Sequence, residues 1–382
     1  MPDKIFKLRA LHITPDDKFF DIVFNAWENN EDFENKALFL SPSQDYKFRY
    51  IKSIEKLEIY YKAKDVVNRL QADNYDVVFL HSMPCKFYFM VNAIPKDRIV
   101  IWWGWGYDIY KMQGWVAPII KLDLYKSITR GFIRKPRVRL SFLKGRILHF
   151  FRKPSIRDEQ KKAIRRVDYY QPVVKLEFEL MKQNTHFKAK EFYYRTNNIS
   201  ENIPFFKSSK GDILLGNSAT PTNNHLDVLK KLFSYKQKNQ RVIMPLSYGS
   251  KRYKDWLSEK LSYSDIHIID DFLPRDQYFQ IVDGCSYAVF GTIRQQAMGN
   301  IMYAIQRGIK VFLYKDSIAY KNLATLGFAV YAIEDINELS LKTPLTADKI
   351  LQNEKAFKKE YERRMTVYHN AIKEISKRLH RK

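Results

Sequence analysis

From Ile5 to Tyr331 short apolar runs alternate with segments of helical period, and this alternation restricts the fold more than any other feature of the chain. Runs of four to eight β-branched, aromatic and leucine residues separated by amphipathic helices are the pattern of βαβ units, which build a parallel sheet. In the first series strands are expected at Ile5 to Ile13, Ala37 to Leu40, Asp76 to His81 and Arg98 to Trp103, with helices at Asp16 to Trp27 and Lys62 to Gln71. A strand at Asp168 to Val174, a helix at Lys175 to Gln183 and a run at Glu191 to Arg195 follow. A second series starts at Asp212. It predicts strands at Asp212 to Leu215, Arg241 to Pro245, Asp265 to Ile269, Ser286 to Phe290 and Lys310 to Tyr314. Its helices are expected at Asn224 to Phe233, Pro274 to Asp283 and Arg294 to Arg307, with a further helix and short strand within Ile318 to Tyr331.

Two such series in 382 residues exceed one hydrophobic core. The reading is an α/β chain of two Rossmann-like domains facing across a cleft. The first is residues 1–205 with a basic insertion at 126–166, the second 206–345, and 346–382 is a charged helix packing back. Ile350, Phe357, Tyr361, Met365, Tyr368 and Ile372 form the apolar stripe expected of that helix.

The formal charge of +24 calls for an anionic partner. Its densest part, between Lys126 and Arg166, interleaves bases such as Arg130, Arg134, Arg137, Arg146 and Arg165 with Phe132, Phe142, Leu148 and Phe151. Such a segment either lies on an anionic bilayer surface or is a solvated basic helix with an ordinary core face. No apolar run reaches the ~20 residues of a membrane span. The start Met1-Pro2-Asp3-Lys4 lacks the regions of a signal peptide, so the chain is expected in the cytoplasm, peripheral on the inner face of the membrane. Cys85 and Cys285 have no metal-type spacing and read as reduced thiols. No nucleic-acid reader motif is present, and a basic nucleic-acid-binding protein is the reading from another class.

Ligands of open parallel sheets sit outside the carboxyl ends of the strands, so those loops carry the candidate sites. In the second domain they are Gly216-Asn217-Ser218, the loop with Tyr248, and Arg294-Gln295-Gln296 with Gly299. Small residues allow close backbone approach to a phosphate, Tyr248 can face a base or ribose, and the Arg294 fork with helix amides suits a diphosphate. Arg294 to Gln296 are expected in the first helical turn. In the first domain Trp103 and Trp105 suggest a sugar-binding wall, and Asp108, His81 and His12 are alternative proton acceptors for an attacking hydroxyl. Asp108 as a helix cap and the histidines as satisfied structural groups are the plain readings of the same residues. Gly104 and Gly106 do not complete a dinucleotide fingerprint, and no P-loop or nucleophile elbow occurs.

Ile213 to Ser218, Asn224-His225, Val242 to Pro245 with Tyr248, and Phe290 to Gly299 together resemble the TDP-N-acetylfucosamine:lipid II N-acetylfucosaminyltransferases of glycosyltransferase family 56. Phe79-Leu80-His81 and Trp103-Gly104 through Asp108-Ile109-Tyr110 are also similar to that family's pattern. The resemblance implies a GT-B fold. It also implies a nucleotide-sugar donor, TDP-linked, in the C-terminal domain and a polyprenyl-diphosphate-linked saccharide acceptor met by the N-terminal domain. Arg294, Gln295 and Gln296 would hold the pyrophosphate, and no metal cofactor is expected. A GT-B fucosyl- or hexosaminyltransferase using GDP- or UDP-sugar is the alternative. The basic insertion and the bulk of Trp105 and Tyr107 depart from the pattern.

Overall fold

A computed structural model describes residues 7–15, 20–28, 30–72, 75–110, 118–133, 155–194, 211–261 and 265–379. By contacts the chain divides into two compact units. Unit 1 is Met1–Lys121, Val138–Asn197 and Glu362–Lys382, and unit 2 is Leu122–Arg137 and Asn198–Tyr361.

Unit 1 holds a seven-stranded sheet in the order β3-β2-β1-β4-β5-β6-β7. The strands are β1 Leu8–Thr14, β2 Phe33–Leu40, β3 Leu57–Tyr60, β4 Val77–His81, β5 Ile99–Trp103, β6 Tyr169–Gln171 and β7 Lys190–Glu191. All neighbours are parallel. Central β4 is buried at every position, as a parallel strand covered on both faces must be. β3, all of it half-buried, escapes the sequence reading because an edge strand needs no apolar run. The core joins Trp27, Phe33, Phe79, Ile101, Phe192 and Tyr194 to Tyr368, Ala371 and Ile375 of the C-terminal helix.

Unit 2 holds a six-stranded parallel sheet ordered β10-β9-β8-β11-β12-β13. Its strands are β8 Asp212–Leu215, β9 Val242–Pro245, β10 Ile266–Ile269, β11 Cys285–Phe290, β12 Lys310–Leu313 and β13 Tyr331–Ala332. In each sheet the strand order reverses beside the first strand, between β1 and β4 and between β8 and β11. These are the crevices where ligands of such sheets bind.

Two of the differences between the contact boundaries and the sequence division fall on described residues. Leu122–Arg137, read as part of the first domain and including the start of its insertion at 126–166, belong to unit 2. The Asp227 carboxylate accepts from the backbone N–H of Ile128 (2.8 Å) and Thr129 (3.0 Å) and from Thr129 Oγ1 (2.7 Å). It thereby caps the helix Ser127–Ile133 from a different helix, while Phe132 packs on Tyr253 and Trp256. Asn224, fully buried, donates to the carbonyls of Leu124 (3.1 Å) and Gly291 (2.7 Å) and accepts from Lys126 N (2.9 Å). This ties the segment to the end of β11.

The second difference is the helix Ala347–Leu379, of which residues 347–361 belong to unit 2 and 362–379 to unit 1. Its buried face is Asn353, Ala356 and Glu360, then Tyr368, Ala371 and Ile375. Of the expected stripe only Tyr368 is buried, and Tyr361 is exposed. An apolar pattern does not register a buried asparagine, and Asn353 is inside because its Oδ1 accepts the Ala329 N–H at 2.7 Å.

Candidate functional site

In unit 2 the three loops singled out in the sequence meet. β8 ends at Leu215, and Gly216 turns the chain at φ 69; a Cβ there would lie 2.8 Å from His225 Nε2. Asn217 Nδ2 donates to the Tyr248 hydroxyl at 2.8 Å, and Gln296 Nε2 donates to Asn217 Oδ1 at 3.3 Å. Thr222 Oγ1 closes the set by donating to Gln296 Oε1 at 2.5 Å. The loops after β8 and β9 are further joined by the Ala219 N–H donating to Tyr248 O (2.8 Å) and the Ser250 N–H to Ala219 O (2.8 Å). Ser218 shares its hydroxyl with Thr220 at 2.9 Å. Thr222, Asn223 and Asn224 were not among the sequence candidates for the site. Their signal is a run of short polar side chains before a helix, which at sequence level reads as a cap.

Arg294, Gln295 and Gln296 are not in a helix, contrary to the expectation. The helix starts at Met298, with Ala297 at φ 61 before it. The reversal at Ala297 keeps the loop outside, where Arg294 Nη1 donates to Gln295 O at 2.9 Å. The unfavourable dipole expected for an arginine in the first turn therefore does not arise. No side chain caps the helix Met298–Gln306, and Gly299, in its first turn, is exposed. The first amide groups of a helix have no partner within the helix itself. Two buried polar atoms of this loop, Thr292 Oγ1 and Gln295 Oε1, have no hydrogen-bond partner among the described residues. A satisfied core would pair them. An arginine, a helix start without a side-chain cap and the bonded polar side chains Asn217, Tyr248 and Gln296 thus gather at the carboxyl end of this sheet.

In unit 1 Trp103 stacks on Trp105 with ring centroids 4.5 Å apart, and Trp27 lies 5.6 Å beyond Trp103. Gly104 between them is required by close approach: a Cβ would fall 2.3 Å from the Tyr170 hydroxyl. Asp108 is buried. Its Oδ2 accepts from Met83 N (2.9 Å) and Trp102 Nε1 (2.9 Å), and its Oδ1 from Trp105 N (3.1 Å). Burial pushes its carboxyl up to about 6 against these bonds. The carboxylate thus clamps the loop after β4 to the loop after β5. Ser82 in the clamped loop holds φ 76, a strained setting for a non-glycine residue, and shares its hydroxyl with Tyr107. His12 and His81 are both buried, with His12 Nδ1 3.1 Å from His81 Nε2 and His12 Nε2 2.9 Å from Asn35 Oδ1. Burial holds His81 down to about 3 and His12 well below its ordinary value, so both rings are neutral at physiological pH.

Glu177 lies fully buried behind Tyr170, and burial pushes it up to about 7. The sign follows from linkage: its folded pKa is raised, so its stabilising contribution is present below ~4.5 and lost as pH rises to about 7. Asp108 acts in the same direction between about 4 and about 6. Unit 1 is therefore expected to lose stability as pH climbs from about 4 to about 7, and Glu177→Gln to flatten the upper part of that slope. Denaturant melts across pH check this; an unchanged slope in the variant contradicts it.

Of the basic segment, residues 134–154 lie outside the described residues. Arg166, read as part of its charged face, is used internally: it donates to the carbonyls of Ile94, Pro95 and Arg98 and pairs with Asp168. Arg130 bonds Asp123 and Tyr125 O. Among the described residues no helix is long and apolar enough to cross a membrane.

Two Rossmann-like units, each a parallel sheet with helices, are the construction of the GT-B fold. Solved structures share this fold across nearly the whole chain. A lipopolysaccharide outer core galactosyltransferase, WaaB, matches at TM-score 0.51 and 10% identity, covering 98% of this chain and 95% of its own. The O-GlcNAc transferase of Thermobaculum terrenum matches at 0.55 and 11%, covering 99% and 68%. The alpha,alpha-trehalose 6-phosphate synthase of Burkholderia multivorans matches at 0.55 and 7%, covering 97% of each chain. Residues 160–357, over half the chain, match the model of the 4-alpha-L-fucosyltransferase family, glycosyl transferase group 56. The chain belongs to that family and is a glycosyltransferase.

Proposed function

We propose that this glycosyltransferase moves an N-acetylfucosamine-type sugar from a TDP-sugar to a polyprenyl-diphosphate-linked saccharide, as a step in surface polysaccharide synthesis at the inner membrane face. The observation that carries the donor side is the joining of Asn217, Tyr248 and Gln296 beside Arg294 and the uncapped helix Met298–Gln306. The nucleoside lies on Asn217, Tyr248 and Gln296, and Ser218 and Gly216 leave the backbone accessible. Arg294, Gln295 and the amides at Gly299 take the diphosphate, so leaving-group charge is neutralised by fixed groups and no metal is needed. The family's fucosyl chemistry supports a deoxyhexose donor.

On the acceptor side Trp103 and Trp105 offer stacked rings to a sugar face. His81 is the proton acceptor. Asp108 serves it as the clamp of its loop, since both carboxylate oxygens already receive N–H donors. The lipid-linked acceptor and the anionic membrane rest on the basic composition of residues 126–166 and on the family resemblance.

A thermal-shift series with TDP, UDP, GDP and CMP, with and without magnesium, tests the donor. TDP is expected to raise the unfolding midpoint without magnesium, by an amount that grows with the logarithm of its concentration above Kd. A rise with UDP or GDP alone would keep the enzyme class and overturn the donor, and dependence on magnesium would overturn the metal-free reading.

A further inference from the structure

Asn35, His12 and His81 lie on three adjacent strands, β2, β1 and β4, and the register puts all three on one face of the sheet. Their hydrogen bonds can be oriented from one end. Asn35 Nδ2 lies 2.7 Å from the Trp27 carbonyl oxygen. A carbonyl only accepts, so the amide nitrogen faces Trp27 and Oδ1 faces His12. Oδ1 in turn only accepts, so His12 Nε2, 2.9 Å away, carries its proton. Neutral His12 then has a lone pair at Nδ1, and His81 Nε2, 3.1 Å away, donates to it. The remaining ring nitrogen of His81, Nδ1, is left with a lone pair.

We infer that Asn35 and His12 are positioning residues that fix His81 in its Nε2–H tautomer, making His81 Nδ1 the atom that takes the proton of the attacking hydroxyl. This rests on the assignment of unit 1 to the acceptor. In the step itself the acceptor O–H bond breaks and its proton goes to His81 Nδ1. The acceptor oxygen bonds the anomeric carbon, and the bond from that carbon to the diphosphate oxygen breaks, its electron pair staying on the diphosphate. The imidazolium formed keeps its Nε2–H bond to His12, whose own N–H bond to Asn35 is aligned in the same direction, so the chain's dipoles oppose loss of ring orientation. His81 sits at the carboxyl end of β4, beside the switch point, and His12 lies deeper, enclosed by Phe24, Trp27 and Phe79. Both rings are buried, His81 among Phe20, Trp27 and Trp103, and it is the place of His81 at the strand end that makes it the working group and His12 the support. Asn35 had no signal in the sequence: one amide in Phe33-Glu34-Asn35-Lys36 reads as an exposed residue near the start of a strand.

The test is nitrogen NMR of the full-length protein with ¹⁵N-histidine, His12 and His81 assigned from single His→Phe variants. At pH 7 both rings are expected neutral, each with the protonated nitrogen at Nε2. His81 protonated at Nδ1 overturns the inference. In parallel, Asn35→Ala is expected to lower kcat by ~10²-fold with KM unchanged, the size of a positioned general base. A folded Asn35→Ala enzyme with normal kcat also overturns it. The NMR spectrum reads the relay whichever sugar is transferred, so its result is separate from the fate of the donor assignment.

Discussion

Arg294→Ala is expected to lower turnover by about 10²–10³-fold, the loss seen when one fixed donor to a developing charge is removed. The guanidinium stands in the loop after β11, outside any helix, and its bond to the Gln295 carbonyl is local. The Arg294 side chain is half-buried in a loop rather than packed in the core, so the midpoint of thermal unfolding should move by no more than about 2–4 °C. Arg294→Lys keeps the charge but loses the two-pronged fork, and should recover only part of the rate. Steady-state kinetics beside a melt separate the two effects. Near-normal kcat in the alanine variant would remove Arg294 from the diphosphate site.

The second large effect is on stability. Asp108→Ala leaves the N–H groups of Met83, Trp102 and Trp105 buried with no acceptor, and should destabilise unit 1 by roughly 3–5 kcal/mol. Asp108→Asn supplies one oxygen for the Oδ2 position, where Met83 N and Trp102 Nε1 converge, and turns its NH₂ toward Trp105 N. The expected loss is smaller, about 1–2 kcal/mol. Denaturant unfolding measures both. If Asp108 were instead the proton acceptor, the asparagine variant would unfold normally and lose nearly all kcat, so one pair of measurements decides between clamp and base.

The loops of the proposed donor site show what pattern reading reaches. Gly216, Asn217, Tyr248 and Gln296 were singled out by the rule that ligands gather at the carboxyl ends of parallel strands. Asn217, Tyr248 and Gln296 are bonded to one another in the structure. The rule works because a strand end is where the chain leaves the core and exposes its backbone polar groups. Arg294 was singled out as well, but in a helical turn, whereas the helix starts at Met298. A turn at Ala297 depends on a non-glycine residue held at positive φ by its surroundings, and no local propensity announces that. Asp108 and His12 were found as polar residues near strand ends, with cap, structural and catalytic roles open. Their hydrogen-bond partners lie 25 and 69 residues away, Met83 for Asp108 and His81 for His12.

The amino-acid sequence by itself determined the two parallel α/β units, most of their strands and the loops at the strand ends, because hydrophobic period and turn chemistry are local properties written residue by residue. The tertiary structure alone decided that residues 122–137 belong with unit 2, which face of the last helix is buried, and that Asn35, His12 and His81 form one hydrogen-bonded line. Those outcomes turn on buried polar groups finding partners far along the chain. Such a group is tolerated inside only when its partner is there to meet it, and the identity of that partner is not contained in the segment that carries the group.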